Sequence, residues 1–400
     1  QRSIFNFPWA IQLNLNKDPD WQVKTFTSTI LNIMSAFIPN DTKKIIPRDS
    51  PWISKELKSL LKKKNRFYNS YKRKGYREED KMQLDIFRSE CKKKVDLAKQ
   101  NYISKLGDDL NEHTTSNKSY WKIVNRVMNK ARQPVIPPLL VNNTFVLNCI
   151  DKCKLFAEFF SQQCKPINNG SLLPTFNFLT AQRLNDVLLD DDKILSLIRS
   201  LNSNKAMGPD GISAHMLLIS DTSIVLPLKI IFRNILGTSV YPDLWKVANV
   251  SPIHKKADKQ LVNNYRPISL LHICSKLFEK LIFDCLYAYL SNNNLITNNQ
   301  SGFRPGDSTG NQLLYLVSEI HEAFENPNCL EVRAVFLDIS KAFDKVWHEG
   351  LLFKLRQNGI SGKLLKLFEN YLSNRKQRVI LNGLYSDFFP LSPVCHRVLS

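Results

Sequence analysis

Asp338 closes the short apolar run Val335-Phe-Leu. A carboxylate at the end of a central strand, facing a cleft, is a means of holding a hard cation. Mg²⁺ takes oxygen ligands, commonly one or two carboxylates together with substrate phosphates. The run predicts a buried strand. The residues after it predict a helix with Phe343, Val346, Trp347, Leu351 and Leu355 on one face, stopping at Gly359. Taken alone, the same pattern fits an aspartate that merely caps that helix. A second acidic group, Gly107-Asp-Asp109, ends a lysine-rich helix without flanking apolar strands and reads as a helix terminus. Asp190, Asp191 and Asp192 open a helix, where the dipole favours acidic residues. Cys149, Cys153 and Cys164 come nearest to a zinc pattern, but no histidine or fourth cysteine lies near enough to close a tetrahedral site. The eight cysteines are scattered without a CxxC pair and suit a reducing compartment.

The other chemistry is electrostatic. Residues 55–105 hold seventeen Lys or Arg against seven Asp or Glu, including Lys62, Lys63, Lys64, Lys92, Lys93 and Lys94. Phe67, Tyr68, Tyr71 and Tyr76 interleave with these cations, which suits stacking on single-stranded bases beside phosphate contacts. A solvated helical hairpin accounts for the same residues equally well. Over the whole chain 56 Lys or Arg face 36 Asp or Glu, a net charge of +20. That excess points to a polyanion, nucleic acid ahead of anionic membrane. No apolar run approaches the ~18–20 residues of a membrane span, and no secretion signal opens the chain, which begins at Gln1 as a fragment would.

Four hundred residues with 43% hydrophobic and 23% charged content describe a globular chain of two or three domains. Residues 1–50 show no clear period and read as a linker or the tail of a lost upstream region. From Pro51 to about 132 runs a basic helical region. In it Leu84, Phe87, Cys91, Val95, Ala98, Tyr102 and Leu106 form one face of a long helix. Ile53, Leu57, Leu60, Phe67 and Tyr71 mark an antiparallel partner joined near Gly75. Residues 133–200 read as connector and helices, with Pro134–Pro138 and Lys165–Pro174 as connecting stretches and a helical pattern from about Ala181 to Leu201. No internal repeat is visible.

Beyond Asn202 the texture changes to short motifs between apolar segments. Asn204-Lys-Ala-Met-Gly-Pro-Asp-Gly-Ile212 comes first, then Trp245-Lys-Val-Ala-Asn-Val-Ser-Pro-Ile-His-Lys-Lys256. Asn264-Tyr-Arg-Pro-Ile-Ser-Leu-Leu271 and Gln300-Ser-Gly-Phe-Arg-Pro-Gly-Asp-Ser-Thr309 follow, ahead of the Asp338 block. These blocks, in this order, closely resemble the reverse transcriptase of non-LTR retrotransposons, the jockey-like LINE group in particular. The resemblance continues through Gly359-Ile360 and Tyr371-Leu-Ser-Asn-Arg-Lys-Gln-Arg378 and is strong over about 200–390. It implies that Lys255 or Lys256, with Arg266, grips the incoming triphosphate, as a Lys point charge and a planar Arg fork suit phosphate oxygens. It implies that Phe303 and Arg304 line the template path beside Gly302. Asp338 becomes the first catalytic aspartate, shared by two Mg²⁺ ions. Phe343 becomes the bulky gate against a ribose 2′-hydroxyl; as a core residue it would be unremarkable. Gly208, Asp210 and Gly211 form a turn to which the resemblance gives no direct chemical role.

Such a polymerase needs a second carboxylate pair, the Tyr-x-Asp-Asp turn, and none follows Asp338. After Pro390-Leu391 the family would read near E-S-G-V-P-Q-G-S-V, whereas this chain reads Ser392-Pro-Val-Cys-His-Arg-Val-Leu-Ser400. One choice of codons for the first string, shifted by one base, gives the second. The resemblance therefore implies a frameshift near Leu391, which makes Cys395 and His396 products without a selected role. The expected fold is α+β: a helical N-terminal extension, then polymerase fingers and an incomplete right-hand palm with an antiparallel sheet over 201–391, and a shifted tail over 392–400. The implied partners are RNA template, DNA primer and dNTP, without a membrane, in nucleus and cytoplasm. The truncated chain is expected to be inactive. The alternative is a residual or domesticated nucleic-acid-binding protein without catalysis.

Overall fold

The structure, a computed structural model, describes residues 2–37, 52–112, 136–163, 172–339 and 341–391. It divides into two compact units: Gln1–Asn40 with Ile136–Ser400, and Asp41–Val135.

The smaller unit is a helical hairpin. Helix α4 (Lys55–Arg73) starts at Ser54, whose side chain accepts a hydrogen bond from the Leu57 amide, and α5 spans Glu78–Glu112. Gly75 turns the chain between them at φ +72°, where a side chain would be strained. Leu84 and Cys91 are buried and Phe87, Val95, Ala98 and Tyr102 half-buried, so the stripe expected for α5 forms the seam. Phe67 meets Phe87 (ring centroids 5.5 Å apart) near the turn and Trp52 meets Tyr102 (6.1 Å) at the far end, fixing the antiparallel register. Gly107-Asp-Asp109 lies within α5 as helix rather than in a strand turn.

The larger unit opens with α1 (Arg2–Phe5), α2 (Trp9–Asn14) and α3 (Pro19–Phe37). These are not a linker. Trp9, Leu13, Val23, Phe26, Ile30 and Met34 are buried in the main core, and the 3-4-4 spacing along α3 is a helical stripe that the sequence reading passed over. A two-stranded hairpin, β1 (Leu139–Val141) and β2 (Thr144–Val146), precedes α6 (Cys149–Gln163); the connector reading missed it. The helix expected from Ala181 begins only at Asp191 (α7, Asp191–Arg199), where the Asp190 side chain accepts from the Lys193 amide. Residues 181–190 are extended instead because Leu184 exchanges backbone hydrogen bonds with Gly359 and Ser361.

Helices α8 (Ala214–Ser220) and α9 (Val225–Thr238) follow, and α9 is the hub, burying Leu228, Ile231, Phe232, Ile235 and Leu236. The stretch Ala214–Thr238 is long and apolar enough to cross a membrane, contrary to the sequence reading; half of it is buried as the centre of this core. Strands β3 (Val247–His254) and β4 (Tyr265–Leu270) then lead to α10 (Ile273–Asn292) and α11 (Thr309–Glu325). Helices α12 (His348–Gln357) and α13 (Gly362–Leu372) lead to β5 (Lys376–Leu381), β6 (Leu384–Tyr385) and β7 (Phe389–Pro390).

The sheet order is β4-β3-β5-β6, with β7 also on β5. It is mixed rather than antiparallel, because β3 and β5 run parallel with Asn249 opposite Arg378. Alternation puts Val250, Tyr265 and Val379 on one face, packed against Phe156 and Phe160 of α6. Asn249, Ser251, Ile253, Arg266, Lys376 and Arg378 share the other face. The combination of helices and sheets makes the chain α+β.

Candidate functional site

The β3–β4 hairpin carries the cations. His254 pairs with Tyr265 and Ile253 with Arg266, and the loop between is tied down from within. The Lys255 amide donates to the Asn264 carbonyl (2.8 Å), the Tyr265 hydroxyl to the Lys259 carbonyl (2.7 Å), and Asn264 Nδ2 to the Asp258 carbonyl (2.8 Å). The side chains of the adjacent Lys255 and Lys256 and of Arg266, ten residues on, are thus brought to one hairpin end. All three are exposed and without an ion-pair partner among the described residues. A fixed loop bearing three uncommitted cations suits a polyphosphate, whose oxygens accept several charge-assisted hydrogen bonds.

Phe303 stands 85% exposed with a left-handed backbone (φ +62°), an uncommon conformation for an aromatic residue. Its ring meets that of Phe343 edge-on at 6.0 Å, so two residues singled out separately form one contact. Arg304 Nη1 donates to the Thr297 carbonyl (3.1 Å), and after hydrogen bonds from Ser301 and the Ser308 amide the Arg304 charge helps hold the Asp307 carboxyl below its ordinary value.

Asp338 departs from expectation. Residues 331–339 form no strand, and Val335, Phe336 and Leu337 are 82%, 82% and 92% exposed. A strand needs a neighbour to satisfy its backbone, and β3 is already flanked by β4 and β5. The following helix also starts late: Ala342–Lys345 is a 3₁₀ turn carrying Phe343, and α12 begins at His348. Reverse transcriptases use Mg²⁺. Among the described residues no group of three His, Cys, Asp or Glu could hold a metal ion, and Asp338 is a single exposed carboxylate. The described side chains therefore do not fit a two-ion centre.

The lysine triplets lie on the hairpin unit, Lys62–Lys64 on α4 and Lys92–Lys94 on α5. Successive helical residues point about 100° apart, so each triplet fans round its helix rather than lining one face. Lys94 is paired with Glu90 (2.9 Å). Tyr68 lies under Arg88 (5.3 Å) and Tyr71 against Tyr76 (5.1 Å), while Phe67, Tyr68 and Tyr76 stay 41–53% exposed.

The turn at Gly208 acquires a structural role. A Cβ there would lie 2.7 Å from the His272 amide nitrogen, so only glycine lets this loop close on the start of α10. Beneath it, Asp210 Oδ2 and both ring nitrogens of His272 are buried without hydrogen-bond partners. Burial raises Asp210 to about 6 against the amide of Ile212, and burial, with the Arg375 and Lys276 charges, lowers His272 to about 4. The native state therefore keeps the Asp210 proton as pH rises from about 4 to 6, and the stability this residue lends is lost over that interval. The native imidazole stays neutral while the unfolded one protonates, so the His272 contribution is lost as pH falls from 6.5 to 4. The two slopes oppose each other. Asp210→Asn should raise stability at pH 7 by about 2–3 kcal/mol. It should also leave a profile that climbs from pH 4 to 6.5. Urea unfolding at pH 4.5, 5.5 and 7 reads both; an unaltered profile would contradict the assignment.

Residues 253–390 match the family model for reverse transcriptase (RNA-dependent DNA polymerase). The chain is 30% identical over 346 residues to the RNA-directed DNA polymerase from mobile element jockey of Drosophila melanogaster, covering 84% of this chain and 37% of that protein. It is 33% identical over 196 residues to the probable RNA-directed DNA polymerase from transposon BS of Drosophila melanogaster (49% and 21%). With the transposon X-element polymerase of the same species it shares 28% over 278 residues (67% and 30%). The chain thus spans between about a fifth and two fifths of these relatives. The match begins at Ile253, opposite Arg266, and takes in the β3–β4 loop, β4, Phe303, Asp338 and Phe343. The chain carries a reverse transcriptase domain homologous to those of the jockey, BS and X-element RNA-directed DNA polymerases.

Proposed function

We propose that the chain is part of an enzyme that copies an RNA template into DNA from a DNA primer and dNTPs during retrotransposition. The observation that carries this reading is the fixed hairpin end with Lys255, Lys256 and Arg266, inside the matched region. On this reading the β3–β4–β5 sheet is the fingers and the segment around Asp338 belongs to the palm. The three cations bind the triphosphate, Phe303 and Arg304 guide the template, and Phe343 excludes a ribose 2′-hydroxyl. Asp338 would supply one Mg²⁺ ligand only in a longer chain that brings further carboxylates to it.

The 400 residues by themselves do not polymerise. No adjacent acidic pair follows Asp338, and one carboxylate cannot hold two ions for in-line transfer. A primed RNA template incubated with the purified chain, Mg²⁺ and dNTPs should show no extension above background; extended primer would overturn this. A second reading, binding without catalysis, rests on the separately folded basic hairpin. It requires RNA affinity to fall with salt by roughly 0.7 log units per decade for each contacted phosphate. Replacing Lys62–Lys64 and Lys92–Lys94 by glutamine should flatten that slope, and an unchanged slope would exclude the hairpin.

A further inference from the structure

The open face of the sheet carries a second arrangement of side chains, away from the β3–β4 loop. Arg378 on β5 lies opposite Asn249 on β3, and its Nε donates to Asn249 Oδ1 (2.7 Å). Its guanidinium carbon stands 4.1 Å from the centroid of the Tyr385 ring and 4.7 Å from that of Phe388. Tyr385 pairs with Ile380, two residues beyond Arg378, so it projects from the same face. Both rings are nearly half exposed, at 45% and 46%. Neither terminal amino group of Arg378 has a hydrogen-bond partner among the described residues.

Fixing an Arg fork between two aromatic rings and holding it by Nε costs side-chain entropy, and nothing in the core requires it. The arrangement leaves Nη1 and Nη2 free to donate and two flat rings open to solvent. It also shares its face with Arg266 on β4, whose partner Ile253 lies four residues along β3 from Asn249, roughly 13 Å by strand rise. Cations alone would suit any anion. Cations alternating with exposed rings suit a strand that alternates phosphate with a stackable base.

We propose that Arg378, Tyr385 and Phe388 form a binding platform for single-stranded nucleic acid, in which the guanidinium donates to a backbone phosphate and a base continues the stack on one of the rings. The platform rests on the nucleic-acid reading above and adds a specific contact surface to it, on the β5–β6 end of the sheet. One strand would then run across the open face from the Arg378 stack toward Arg266. Asn249 is a positioning residue, setting the plane of the guanidinium.

The test uses the purified 400-residue chain and a single-stranded oligoribonucleotide containing 5-iodouridine, which crosslinks on irradiation to aromatic side chains stacked on it. Crosslinks should map to Tyr385 or Phe388. Tyr385→Ala and Arg378→Ala should each lower affinity about fivefold or more, and Arg378→Ala should reduce the salt slope by about 0.7. Tyr385→Phe should retain affinity and crosslink, which separates loss of the ring from loss of fold. Crosslinks mapping only to other residues, with wild-type affinity in Arg378→Ala, would overturn the platform while leaving nucleic-acid binding in place. An oligonucleotide that does not bind the wild-type chain at all would remove the functional reading and the platform together.

Discussion

Trp245→Ala should lower the unfolding free energy of the larger unit by about 3–5 kcal/mol, the range for truncating a buried large aromatic residue. Trp245 is 1% exposed and stands immediately before β3. Its ring faces Tyr241 at 5.8 Å and Phe232 and Phe278 at 6.3 Å, joining α9 to α10 and both to the sheet. Phe278 belongs to the stripe that also buries Leu277, Leu281 and Ile282. Removing the indole leaves a cavity bounded by three rings on separate elements, which cannot all collapse into it. Trp245→Phe, retaining an aromatic ring, should cost less than half as much. Urea unfolding measures both, and a loss below 1 kcal/mol for Trp245→Ala would show that this cluster does not anchor the sheet.

Neutralising Lys255, Lys256 and Arg266 together should weaken binding of a deoxynucleoside triphosphate by two to three powers of ten. A hydrogen bond to a charged group contributes about 1.5–3 kcal/mol, so even partial use of three such groups reaches that figure. Lys255 and Lys256 extend from a loop held by its own backbone and by Asn264 and Tyr265, and Arg266 from the adjoining strand, so little further order is needed on binding. Arg266→Lys alone should cost roughly tenfold, because a point charge cannot reproduce a two-pronged contact. Equilibrium titration with a fluorescent dNTP checks both. An unchanged affinity in the triple variant would place the triphosphate elsewhere.

Much of this was legible before any coordinates. The 3.6-residue period along α5 and the glycine at 75 specify the basic hairpin, because a seam of Leu84, Phe87 and Cys91 can be buried in only one way. The blocks from Trp245 to Leu271 single out Lys255, Lys256 and Arg266 through the resemblance, while the β3–β4 hairpin that presents them is seen only in the structure. Other features depend on partners distant in sequence. Ala181–Asp190 has a helical pattern, yet Leu184 is taken by Gly359 and Ser361, and Gly359 can serve there only because its φ is +84° and Tyr289 and Gln182 crowd it. Val335–Leu337 has the composition of a buried strand, but a strand is defined by its neighbour, and composition cannot supply one. Asp210 and His272 are buried where Gly208 closes on the His272 backbone, sixty residues away in sequence, and neither residue's type signals that burial. Residues 392–400, where the shifted reading frame was inferred, lie outside the described residues.

Photolabelling with azido-dATP followed by peptide mapping tests the hairpin end as a triphosphate site directly. The adduct should fall within residues 253–266, be competed away by unlabelled dNTP and be lost in Arg266→Ala. An adduct elsewhere in the chain, or one that persists undiminished in Arg266→Ala, would contradict it.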